Sequence, residues 1–228
     1  MRTRLVGLVS ALCALAAAVA FEAQQAAPKR PVPRTADGKA DLSGMWMSGG
    51  GGAGVRNEPP PYQPWAAAKH QELRDRLNVD DPMGRCLLVG VPRITTMPMP
   101  FKIVQLPAEV VILYEAFRGI RVIPTDGRGH PQDMEPGFLG DSIAKWEGDT
   151  LVVDVAGFNG RTWLAFGASH HSDQLHVTER FTRTDFDMIR YEVTMEDPKV
   201  FTKPWTVRSN ITLRPDERIR EYECIDNN

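Results

Sequence analysis

From Phe101 onward the chain is a succession of short runs, each apolar or alternating, separated by tight turns, and no other feature constrains its fold so strongly. The runs are FKIVQL (101–106), EVVILYEAF (109–117), GIRVIPT (119–125), DSIAKWE (141–147), DTLVVDVAGF (149–158), LHVTERFTR (175–183), MIRYEVTME (188–196), WTVRSNITLR (205–214) and RIREYECI (218–225). TDGRG, EGD, TDFD and RPDER between them are turn sequences. An earlier run, DLSGMWMS (41–48), reads as a first strand. Short strands joined by tight turns pair antiparallel with their neighbours, and a sheet of this many twisted strands curls and closes, which removes its exposed edges. The expectation is an all-β chain: one antiparallel barrel of eight to ten strands over residues 41–228. A helix is predicted over 64–78, where Pro64 occupies the first turn and Trp65, Ala68, Leu73 and Leu77 recur at helical spacing. A long Gly/Pro-rich loop, SGGGGAGVRNEPPPYQP, precedes it, and DDPMGRCLLVGVPRITTMPMP follows with too many prolines for regular structure.

The N-terminus speaks to compartment. MRTR is a basic start, LVGLVSALCALAAAVA an uncharged apolar run, and Ala18, Val19 and Ala20 supply the small residues of a cleavage site. This predicts a cleavable signal peptide over 1–20, an Ala/Pro-rich tether over 21–40, and a periplasmic or secreted protein. The run is shorter than the roughly twenty apolar residues a membrane span needs, and nothing later in the chain is long and apolar enough. Cys13 leaves with the signal. Cys86 and Cys224 remain, as a disulfide or as two buried thiols, and an even pair in an oxidising compartment favours the disulfide. With 27 Lys and Arg against 29 Asp and Glu and no basic stripe, the chain has no footprint for nucleic acid.

Two resemblances add to this. SGMW, Ser43 to Trp46, resembles the Gly-x-Trp signature on the first strand of lipocalin-type barrels. That family uses the Trp to plug the closed end, often beneath an Arg from a late strand, a role that falls here on Arg218 or Arg220. Over nearly the whole mature chain, DLSGMW, DDPMGRCLLVGVPR, VVILYE, TDGRGHP, WEGDTLVVDVAGFN, HHSDQLHVTERF, EDPKVFTKPWTV and EYEC resemble a family of exported bacterial proteins without an established activity. Members share both cysteine positions, which implies the Cys86–Cys224 disulfide; the resemblance implies nothing about a substrate.

Candidate chemistry comes from side-chain parity, since successive strand residues face opposite ways. In DQLHVTERF, Glu179 shares a face with Leu175, Val177 and Phe181, whereas His176 and Thr178 take the other. If the apolar set faces inward, Glu179 is a carboxylate in an apolar cavity, suited to acid/base work; if not, His176 lines the lumen. His171 and Asp173 lie two apart just upstream and, with His130, are candidate metal ligands as well as acid/base groups, Asp133 being a possible addition. Glu115 alternates with Val111, Leu113 and Phe117 on a strand that is apolar on both faces, with Tyr114 on the other face, so a buried pair with Arg121 is expected. Asn159, Arg161 and Trp163 offer an amide, a cation and an aromatic wall over the barrel mouth. Phe201, Lys203 and Trp205 read as packing at a strand entrance with a possible lid role. No Gly-rich phosphate loop, Cys-x-x-Cys or Gly-x-Ser-x-Gly motif is present, and no cofactor is implied.

The resulting expectation is an exported enzyme with a barrel pocket, using proton transfer of an isomerase, lyase or hydratase type on a small, largely apolar organic molecule. Its alternatives are a non-catalytic periplasmic carrier of such a molecule and a metal-dependent hydrolase or lyase with His/Asp ligands. The enzyme reading requires at least three of His130, His171, Asp173, His176, Glu179 and Glu115 to converge on one pocket.

Overall fold

The computed structural model describes residues 30–49 and 57–225. The expected signal peptide, residues 21–29 of the expected tether and the Gly run at 50–56 lie outside the described residues.

Nine strands form one antiparallel sheet: β1 (Gly44–Ser48), β2 (Pro100–Gln105), β3 (Glu109–Tyr114), β4 (Ile120–Pro124), β5 (Asp141–Glu147), β6 (Thr150–Ala156), β7 (His176–Asp185), β8 (Met188–Glu196) and β9 (Trp205–Leu213). Their order is β4-β3-β2-β1-β9-β8-β7-β6-β5. Every pairing joins strands consecutive in sequence except β1 with β9, which brings the first and last strands together and rolls the meander into a barrel. The barrel is nearly closed, with β4 and β5 side by side at the seam. Alternation is strict on the long strands: on β7, Val177, Glu179, Phe181 and Arg183 are buried, and His176, Thr178 and Arg180 face outward. The core is the inner face, with Trp46, Phe101, Ile103, Ile112, Val153, Val177, Phe181, Tyr191 and Ile211 among its fully buried members.

The Gly-x-Trp feature closes one end. Trp46 is wholly buried and donates Nε1–H to the carbonyl of Leu42 at 2.9 Å. At Gly44, φ is +146°, and a Cβ there would stand 2.9 Å from Leu213 and 3.2 Å from the Trp46 ring, so only glycine fits. The cation over Trp46 is Arg183 of β7, 5.0 Å from the ring centroid, and not Arg218 or Arg220. Those two residues belong to the expected tenth strand, RIREYECI, which is instead an irregular tail held to the barrel by the Cys86–Cys224 disulfide (Cα–Cα 5.5 Å) and by Arg220 N–H donating to Glu115. A tail tied by a covalent bond needs no ladder to stay in place.

Helix α1 (Pro64–Asp75) forms where Pro64 opens the first turn, but its inward residues are Ala66 and Leu73, while Trp65 and Leu77 are exposed. Apolar spacing alone pointed to a different face, because Trp65 is held by a hydrogen bond from Nε1 to the carbonyl of Lys199 and not by burial. Before β1, Arg34 and Ala40 form an isolated bridge and Arg34 pairs with Asp149 of the β5–β6 turn, so residues 34–40 are pinned to the barrel. Among the described residues, no helix is long and apolar enough to cross a membrane.

Candidate functional site

The end of the barrel opposite Trp46 is stoppered by the proline-rich segment. Val89, Val91, Ile94 and Thr95 are buried there, around the single helical turn Arg93–Thr96. Arg93 is itself buried, with both terminal nitrogens on the Asp81 carboxylate (2.8 and 2.7 Å) and its guanidinium 4.3 Å from the Phe166 ring centroid. Gly90 is required for this approach, because a Cβ would meet Thr162 Oγ1 at 2.6 Å and the Phe138 carbonyl at 2.8 Å.

Beneath the stopper lies a polar network. Arg121 of β4 points inward and places its two terminal nitrogens on Glu179 of β7 at 2.5 and 3.2 Å; it also donates to Ser142 of β5 at 2.9 Å. Tyr191 donates to the same carboxylate at 2.8 Å, and Tyr114 links Arg121 (3.4 Å) to Thr95 (2.9 Å). Burial opposes the charge on Arg121, and Glu179 beside it more than restores it, so the guanidinium stays charged. Burial, and then the Glu179 charge, push Tyr191 well above its ordinary range. Glu179 is therefore inward, as one branch of the parity argument required, but it is paired with Arg121 and not a lone acid. Arg121 pairs with it and not with Glu115, which sits past the end of β3 and caps the C-terminal tail.

Beside the stopper, a cavity of about 420 Å³ opens between β8, β9 and the two loops that carry Pro92 and Phe166. Met195, Trp205 and Val207 supply its barrel side, and Pro92, Pro98, Leu164 and Phe166 the loop side. Asn57 and Arg208 border its rim and exchange hydrogen bonds, Asn57 Nδ2–H to the Arg208 carbonyl and Arg208 N–H to Asn57 Oδ1. Ser209 also lines it, and the Ser209 hydroxyl is buried without a hydrogen-bond partner among the described residues.

A third group of polar residues stands on the outer face. Asp154 of β6 takes a short hydrogen bond from His176 Nε2, and Asp154 Oδ2 lies 3.7 Å from His130 Nε2. His130 Nδ1 is 2.5 Å from Asp141, and His176 Nδ1 is 3.5 Å from Glu196.

No family model matches this chain. No curated protein and no solved structure matches it either.

The six acid/base candidates divide among separate places. His130 and His176 meet at Asp154 outside the barrel, Glu179 is inside it, and Glu115 holds the tail. Asp173 is exposed and paired with Lys199 at 2.8 Å. His171 is buried in the loop before β7: its Nδ1 donates to the Ser172 carbonyl, which leaves Nε2 to accept from Thr162, both at 2.8 Å. Burial pulls its pKa below the ordinary histidine value. The metal candidates His130, His171 and Asp173 are likewise apart, and among the described residues no three His, Cys, Asp or Glu side chains stand at coordination distances. Of the expected mouth residues, Trp163 is buried with Leu73 and Ala168 under the loop, Asn159 accepts from Arg161 N–H, and Arg161 stacks on Phe138. Tyr114 and Arg121 belong to the interior network. Trp205, expected mainly as packing at a strand entrance, lines the cavity.

Sequence reasoning missed Asp154, Asp141, Glu196 and Ser209. Asp154 carried a signal, being the single charge within the apolar run LVVDVAG. Ser209 carried none, because a serine on a half-polar strand is unremarked until its neighbours across the sheet are known.

Proposed function

We propose that the protein is an exported binding protein for a small, largely apolar organic molecule, held in the cavity beside the stopper. One observation carries this reading: an apolar recess with aromatic and methionine walls is lined by Ser209, whose buried hydroxyl no described protein group satisfies. Buried polar groups are nearly always hydrogen-bonded, and a mainly apolar cavity with few convergent polar groups suits a ligand with an apolar body and one hydroxyl or carbonyl. Export is supported by the disulfide, which persists in oxidising compartments, and by the signal-like N-terminus. Membership of the exported bacterial family it resembles is part of the same proposal.

The carrier reading is preferred over proton-transfer catalysis because the acid/base candidates do not meet in this cavity. A thermal-shift screen of small apolar alcohols, ketones and phenols tests it. The expected result is a subset that raises the melting temperature of the wild-type protein and binds Ser209→Val about tenfold more weakly, the loss of one hydrogen bond. A panel with no stabilising member, or hits indifferent to Ser209, would count against it.

A further inference from the structure

We propose that His130, Asp154 and His176 bind a divalent first-row transition-metal ion on the outer face of the barrel. This does not rest on the carrier reading and uses none of the cavity residues.

The argument begins with the way the two imidazoles are turned. Each presents Nδ1 to a carboxylate, His130 to Asp141 and His176 to Glu196, and each presents Nε2 to the same third carboxylate, Asp154. At His130 the carboxylate behind Nδ1 favours the tautomer that leaves the Nε2 lone pair free, the usual support of a metal-ligating histidine; at His176, Nε2–H donates to Asp154, and an ion would take the place of that proton. The elements reinforce the placement. Asp154 faces Thr178 across the β6–β7 ladder, one diagonal step from His176, while the loop after β4 carries His130 over them.

Hydrogen bonding alone leaves this arrangement incomplete. Asp154 accepts a hydrogen bond from His176, but His130 Nε2 is buried, lies 3.7 Å from Asp154 and has no hydrogen-bond partner among the described residues. An ion bound by both Nε2 atoms and Asp154 would satisfy all three. Charge favours it as well, since Asp141, Asp154 and Glu196 surround the two imidazoles and none of them pairs with a lysine or arginine among the described residues. The donors are not yet at coordination distances. The side chains of Asp154 and His176 are 45% and 41% exposed, open to the approach of an ion. Two imidazoles and one carboxylate suit zinc, iron(II), cobalt or manganese, with the remaining positions left to water.

The test uses the tag-free, chelator-stripped protein, titrated with Zn²⁺ by calorimetry and with Co²⁺ by visible absorption. The proposal expects one ion per chain, a cobalt d–d spectrum that saturates at one equivalent, and loss of that binding in His130→Ala and His176→Ala. Asp141→Asn is expected to weaken it about tenfold, through loss of the group behind His130, and His171→Gln to leave it unchanged. Histidine ring NMR on the wild-type protein gives a second readout that needs no variant: Zn²⁺ should shift two rings and spare the buried His171. Absence of saturable binding, or binding that survives His130→Ala and His176→Ala, would overturn the proposal.

Discussion

The barrel wall separates two polar groups, each gathered around one carboxylate, of opposite character. Inside, Glu179 is fully buried and receives two hydrogen bonds from Arg121 and one from Tyr191, so both carboxylate oxygens are engaged. Outside, Asp154 is half exposed and stands between two histidines, one of which, His130, keeps its Nε2 without a hydrogen-bond partner among the described residues. The difference follows from what each environment tolerates. A buried carboxylate must be matched by a cation and donors or the fold is lost, whereas an exposed one can remain partly unsatisfied at small cost. The inner group therefore acts as a fastener, joining β4, β5 and β7 across the seam, and the outer group remains available for a ligand.

The sharpest way to break this comparison is to cut the inner pair. Glu179→Ala strands the Arg121 charge in the core and should lower stability by about 3–5 kcal/mol in urea unfolding. The double variant Glu179→Leu with Arg121→Met removes both charges and should recover most of that loss. A single variant that unfolds like the wild type would show that the pair does not fasten the seam.

A smaller effect is expected from pH. Burial lowers the pKa of His171, and of His170 beside it, below the ordinary histidine value. The folded state keeps these rings neutral while the unfolded chain takes up protons below about pH 6.5. Stability is therefore complete above that pH and falls as the pH drops through it toward the folded-state values, with a slope of at most about 1.4 kcal/mol per pH unit for each ring. His171→Gln should flatten the slope measured between pH 7.5 and 5, and an unchanged slope would place its origin elsewhere.

The smallest effect belongs to the outer group. Asp154→Asn should change stability by no more than about 1 kcal/mol in the metal-free protein, as expected for an exposed pair. A loss as large as that of Glu179→Ala would erase the distinction between the two faces.

Strands and facing were legible in the sequence because alternation with a period of two survives in a barrel whose inside is apolar. Glu179 could be placed with Val177 and Phe181, and Arg121 with Ile123, from parity alone. Their pairing could not, because it depends on the closure that brings β4 and β5 together, while the sequence suggested the nearer Glu115. The same limit applies to Arg183, whose contact with Trp46 depends on β7 reaching the closed end. The outer site is half legible: His130 and His176 stand out as candidates, whereas Asp154, the single charge in LVVDVAG, reveals its partners only once β6 and β7 pair. The last expected strand failed for a different reason. RIREYECI alternates well enough, but Cys224 is held by Cys86, which lies outside the sheet between α1 and the stopper.

The central functional claim is that the cavity between Trp205, Met195 and Phe166 is where this protein holds its ligand. Tryptophan fluorescence titrated with a small apolar naphthalene probe tests it directly, comparing the wild-type protein with Ser209→Phe, which fills the recess. The account predicts saturable one-to-one quenching in the wild type and none in the filled variant. Equal quenching in both, or no saturation in either, would contradict it.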